Sequence, residues 1–159
     1  MTVDKIVTQK EELEIVGATL LSSEEAETLP LRLRKHTNWW WLRSPGCISD
    51  LAAGVSGGSS ILSYGGDVRN GTGAVRPALI IKNLKSSNLK IGDTFLFGNK
   101  KFEIISDVIA FCLEDIGQYC FKKDWKASEA NDYEKSDVKK FVDNWFENSN
   151  RRMDEEVEQ

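Results

Sequence analysis

The chain is short of cysteine, has one histidine and lacks any long apolar run, and each shortage removes a class of function. Its three cysteines, Cys47, Cys112 and Cys120, are odd in number, far apart and form no Cys-x-x-Cys pair. That argues against a disulfide framework or a zinc knuckle and leaves reduced thiols as the expectation. His36 is the only histidine, so a Ser-His-Asp triad or a histidine-ligated metal would have to be built around it alone. No partner spacing supports either, and a solvent-facing histidine is expected. No apolar stretch approaches the ~20 residues of a membrane span, and no basic-then-apolar leader opens the chain. The expected location is cytoplasmic, with no membrane contact. Excess basic charge is missing as well: 21 Lys and Arg stand against 25 Asp and Glu, for a net charge of −4 and a pI of about 5.2. Such a balance provides no electrostatic footprint for direct nucleic-acid binding. A phosphate loop is also wanting, because "GTGAVRP" has neither the third glycine nor the Lys-Ser/Thr that phosphate motifs require. No catalytic constellation, metal set or cofactor motif emerges.

What is present reads as a single α+β domain over 1–150. Hydrophobic residues at 40% and charged residues at 29% of 159 are globular values. "EIVGATLL" from Glu14 predicts a buried strand, and "SSEEAETLP" predicts a helical turn or two, with Ser22 or Ser23 as N-cap and Pro30 as stop. "LRLRKHT" alternates apolar and basic residues and fits either an edge strand or an exposed connector. Eight of the twelve glycines fall between Gly46 and Gly73, where the pairs Gly57-Gly58 and Gly65-Gly66 flank "SSILSY" as turns flank a short strand. Long loops with short strands are expected there. "AVRPALIIK" is a β-branched run whose Pro77 belongs at a strand start or sheet edge, and 83–91 reads as a polar linker. Three further strand-length runs follow, broken at Gly98-Asn99 and Ser106-Asp107. Val138, Phe141, Val142, Trp145 and Phe146 lie at i, i+3, i+4, i+7 and i+8, the spacing of one buried helix face, so a helix is predicted from an N-cap at Ser136 to Asn148. Residues 151–159 are charged and read as a disordered acidic tail.

The densest signal is "NWWWLRSPGC", 38–47. Successive strand residues face opposite sides, so Trp40 points one way and Trp39 and Trp41 the other. Trp41 is expected under loop cover and Trp39 in part exposed. Two uses remain open for these rings: packing that caps the glycine-rich loops, or an aromatic platform for a partner. Arg43 and Arg76 likewise either tie loop carbonyls together through five guanidinium donors or hold a carboxylate or phosphate. Trp39, Trp41, Arg43 and Arg76 are therefore the candidate binding residues.

"WWLRSPG", Trp40 to Gly46, followed by "VRPAL", Val75 to Leu79, resembles the signature of a bacterial and phage domain family of unknown function. Its members also carry a G-x-x-F-x-F-G hairpin and a Y-x-x-S-D helix, matched here by Gly92 to Gly98 and Tyr133 to Val142. In the family the hairpin and helix come first, and here the order is reversed. The resemblance thus implies a circular permutation, with halves 1–82 and 92–150 joined by 83–91. It also implies a fold similar to the C-type-lectin-like fold of the formylglycine-generating enzyme, with one twisted, mostly antiparallel sheet. Permutation requires the strand at 76–82 to pair with a hairpin strand, at 94–97 or 102–105. The calcium-ligand runs of sugar-binding lectins are missing, and none of the three cysteines matches the pair the enzyme uses. A non-catalytic recognition module for a protein or glycan partner is what the residues and the resemblance together imply. The alternative is a phage-encoded inhibitor of a bacterial defence nuclease of the CRISPR type, suggested by a small acidic domain and the family's presence in phages. A third reading, an enzyme, finds no residue to name its substrate.

Overall fold

The computed structural model describes residues 13–158, with side chains to 150. Among the described residues the fold is α+β, with eight strands, all paired antiparallel, in two sheets. The first sheet has the order β1 (Ile15–Thr19), β5 (Ala78–Ile81), β8 (Ile109–Cys112), β7 (Lys100–Ile104), β6 (Thr94–Phe97). The second is the meander β2 (Trp40–Pro45), β3 (Leu51–Val55), β4 (Ile61–Asp67). Two sheets replace the single one expected. The strand at 76–82 pairs with β1 and β8, not directly with β6 or β7. It shares their sheet because β8, folding back on β7 after the turn at Ser106, intervenes.

Local chemistry accounts for most elements. Ser22 closes a capping box at α1 (Ser23–Glu27): its hydroxyl accepts from Glu25 N–H, and the Glu25 carboxylate accepts from Ser22 N–H. Pro30 does not end the helical region but caps a second short helix, α2 (Leu31–Arg34). "LRLR" is thus helical, and its apolar alternation misleads because Leu33 is buried while Leu31 is 57% exposed. β6 and β7 are joined by Gly98 and Asn99, both at positive φ (58° and 62°), the left-handed pair that a tight hairpin needs. Gly65 and Gly66 lie inside β4 and form no turn. Gly65 has φ 104°, and a β-carbon there would stand 2.9 Å from the Ala52 carbonyl, where the β3–β4 register shifts at a bulge. Much of the expected loop region is accordingly strand. Nor is 83–91 a mere linker: Leu84 and Leu89 are buried in the core cluster of the larger sheet.

α3 (Asp137–Glu158) starts where predicted, with the Ser136 hydroxyl accepting from Lys139 N–H. It continues past Asn148 through 151–158, the stretch expected as a disordered tail. Its apolar face is divided. Val138 and Val142 are fully buried, whereas Phe141, Trp145 and Phe146 are half-buried, Phe141 stacked on Tyr119 at 4.7 Å and Phe146 on Phe97 at 5.6 Å. The face is therefore part core and part rim, and Phe141 is not the full core residue its spacing suggested.

Between the sheets, Trp40, Leu42, Ala53 and Val55 meet Ala78 and Phe111, with α1 and α2 closing the side through Ala26 and Leu33. Arg32 of α2 reaches across to Glu103 of β7 in a two-pronged pair, 2.9 and 2.7 Å, and covers a carboxylate whose side chain is only 10% exposed. Arg32→Ala uncovers that carboxylate and should destabilise the fold by about 1–2 kcal/mol in urea titration. An unchanged midpoint would mean that water serves Glu103 equally well.

Candidate recognition site

The two signature blocks, whose arginines Arg43 and Arg76 are 33 positions apart, pack on one another. Trp41 N–H donates to Ala74 O (3.1 Å) and Ala74 N–H to Trp39 O (2.9 Å), which lays the VRPAL segment along β2. Arg76, 2% exposed, then enters the interior. Its Nη1 donates to Leu33 O (2.8 Å), Nη2 to Cys112 O (3.1 Å) and Nε to Glu114 O (3.1 Å), while its Cζ lies 4.8 Å from the Trp40 ring and 4.4 Å from Phe111. Burial pulls its pKa down to about 10, which leaves it charged at neutral pH. Trp40 Nε1 donates to Arg34 O (3.0 Å), so the end of α2 is held by an indole and a guanidinium together. Arg76 thus ties three loop carbonyls together from a buried position.

The tryptophans divide as strand alternation requires. Trp40 enters the cluster between the sheets, and Trp41 enters the one beneath α3 with Leu20, Val75 and Phe121. Trp41 is fully buried, and its Nε1 donates to Tyr119 O (2.8 Å). Trp39 is half-buried, edge-on to Trp41 at 4.6 Å, with its Nε1 on Thr72 Oγ1 (3.2 Å). Both rings lie over Gly73: a β-carbon there would stand 2.6 Å from Trp41 Nε1 and 2.7 Å from the Trp39 ring. Glycine is required at that position by this approach alone. His36 departs from expectation. Its side chain is 11% exposed, with Nε2 2.7 Å from Asp115 Oδ2, because the segment after α2 is drawn against the loop that follows β8.

Arg43 is the one candidate that reaches an open site. Its Nη1 donates to Leu20 O (2.8 Å) and to Glu25 Oε1, anchoring the guanidinium beside α1. Burial by itself would raise the Glu25 pKa, but hydrogen bonds from Ser22 and Arg43 outweigh it and hold the carboxyl below its ordinary value. A depressed folded pKa stabilises the native state above the unfolded value, and that contribution is lost as pH falls through the folded one. Melting temperature should therefore drop more steeply below about pH 4.5 in the parent chain than in Glu25→Gln. Parallel pH profiles would show that the pair is solvated.

Arg43, Ser44 and Pro45, at the end of β2, form one wall of a cavity of about 510 Å³. The facing wall is the segment 129–134, where a 3-10 turn (Tyr133–Lys135) begins with Asp132 Oδ1 accepting from Glu134 N–H (3.0 Å). Asn131 Nδ2 fixes this wall to the β2–β3 turn by donating to Ile48 O (3.0 Å) and Leu51 O (3.1 Å). Burial pushes the Tyr133 phenol up to about 12, so it stays neutral. Beside the cavity, Cys47 N–H donates to Tyr64 O (2.9 Å), which brings together Ile48, 58% exposed, and Tyr64, 62% exposed. The 129–134 wall and these two apolar residues are the part of the site that sequence reading missed. The one hint was Asp132 two residues before Glu134, a turn-starting acid.

Among the described residues no group of His, Cys, Asp or Glu side chains could hold a metal ion, and no helix is long and apolar enough to cross a membrane. All three cysteines are free, Cys47 exposed, Cys112 and Cys120 buried. Comparison of the chain with protein-family models, with curated proteins and with solved structures finds no match.

Proposed function

We propose that the chain is a non-catalytic recognition module on a C-type-lectin-like scaffold, working in the cytoplasm, that binds a protein partner at the end of the β2–β3–β4 sheet. The observation that carries this reading is the 510 Å³ cavity walled by Arg43 and 129–134 with Ile48 and Tyr64 exposed beside it. A cavity of that size is in the range of about 300–1,000 Å³ usual for binding sites, and adjoining exposed apolar side chains are what protein interfaces bury. A protein partner suits the pair better than a glycan, because aliphatic Ile48 offers nothing to sugar hydroxyls. The scaffold assignment is supported by the antiparallel α+β fold and by the packing of the two signature blocks on one another. Free thiols support a reducing compartment.

Affinity capture from a lysate of the producing cells, repeated with Tyr64→Ala and Ile48→Asp, tests the reading. A protein retained by the parent chain should be lost by both variants while their melting temperatures stay within about 2 °C, as for truncated interface anchors. Retention unchanged by either substitution would overturn it.

A further inference from the structure

Resting on that reading, we propose that the cavity seats a lysine or arginine side chain of the protein partner, with an apolar neighbour of that residue lying on Ile48 and Tyr64. The charges of the cavity are unequally matched. Arg43 is paired with Glu25, and Glu129 with Lys135 at 2.6 Å. Asp132 and Glu134, which line the same wall, enter no ion pair among the described residues. Two carboxylates are thus left for an incoming cation.

A neutral group of that wall points the same way. Asn131 spends its amide N–H groups on the Ile48 and Leu51 carbonyls, which leaves its Oδ1 as an acceptor. Tyr133 lines the cavity but is 6% exposed, with its hydroxyl beside Thr19 and Leu20 and closed to solvent. Arg43 reaches the Leu20 carbonyl from the opposite wall, so Tyr133 and Arg43 tie both walls to the same stretch of chain. Asn131 Oδ1 and the two carboxylates together offer acceptors to an ammonium or guanidinium, whose N–H groups are all donors. Ile48 and Tyr64, outside the charged part, receive the apolar residue beside it.

Selection of a random-peptide display library on the intact chain, followed by calorimetry with the enriched peptides, tests this. Enriched peptides should carry Lys or Arg next to an apolar residue and should weaken with added salt. They should lose about tenfold or more in affinity for the Asp132→Asn, Glu134→Gln double variant, as when a charge partner is removed. If the double variant does not fold, Glu134→Gln alone decides, since it leaves the Asp132 cap in place, and unchanged affinity overturns the inference. Enriched peptides that are neutral or acidic yet depend on Tyr64 overturn the basic-residue inference and leave the recognition reading standing. A library that enriches nothing dependent on Tyr64 or Ile48 counts against both.

Discussion

Arg76→Ala is expected to cost about 3–5 kcal/mol, a large part of the 5–15 kcal/mol that holds a domain of this size together. The side chain is 2% exposed and satisfies the carbonyls of Leu33, Cys112 and Glu114 at once. Removing it strands three acceptors, two of them in buried bonds, and opens a void between Trp40 and Phe111, whose rings face its guanidinium. The guanidinium itself is buried at a cost, visible in its lowered pKa, and that cost is recovered in the variant, so the three bonds do not count in full. Arg76→Lys separates geometry from charge. A lysine keeps the cation but has no planar fork to reach three diverging carbonyls, and should still lose about 2 kcal/mol. Urea unfolding followed by tryptophan fluorescence reads both. An alanine variant within 1 kcal/mol of the parent would show that water replaces the guanidinium, and the loop-tie account would fall.

Where the chain's chemistry is local, the fold could be read before the structure was seen. The capping box at Ser22, the Gly98-Asn99 hairpin and the Ser136 start of α3 each depend on residues within a turn of one another. The opposite faces of Trp40 and Trp41 follow from strand geometry alone. What escaped reading is set by partners distant in sequence. His36 is held by Asp115, 79 residues away, and Arg32 is tied to Glu103 across 71. Leu84 and Leu89 sit in a polar run, and only the larger sheet reveals them as core. β8 displaced the expected pairing of β5 with the hairpin for a similar reason: strand runs are visible in sequence, but their neighbours are not. Of the site, Arg43 was legible as a many-donor side chain beside a Pro-Gly turn. The acceptor wall at 129–134 was not, since it has no apolar period and is placed by two side-chain bonds from Asn131 to the β2–β3 turn.

Trp41 of β2 and Trp39 just before it have rings in contact yet should respond differently to truncation. Trp41 is fully buried, edge-on to Phe121 at 5.5 Å, and its indole N–H serves the Tyr119 carbonyl, so Trp41→Ala should destabilise by about 3–5 kcal/mol. Trp39 is half-buried and bonds only the Thr72 hydroxyl with its indole, so Trp39→Ala should lose about 1–2 kcal/mol, the lower end of large-to-small changes. Their rings touch at 4.6 Å, hence the double variant should fall short of the sum by about 0.5–1.5 kcal/mol. Guanidinium unfolding of the four chains completes the cycle. Equal losses at the two positions would mean that Trp39 is as much a core residue as Trp41. A Trp39→Ala chain of unchanged stability that no longer captures the partner would move the recognition surface from Tyr64 to the Trp39 edge, since Trp39 Nε1 and the Asn38 amide both donate to Thr72 beside it.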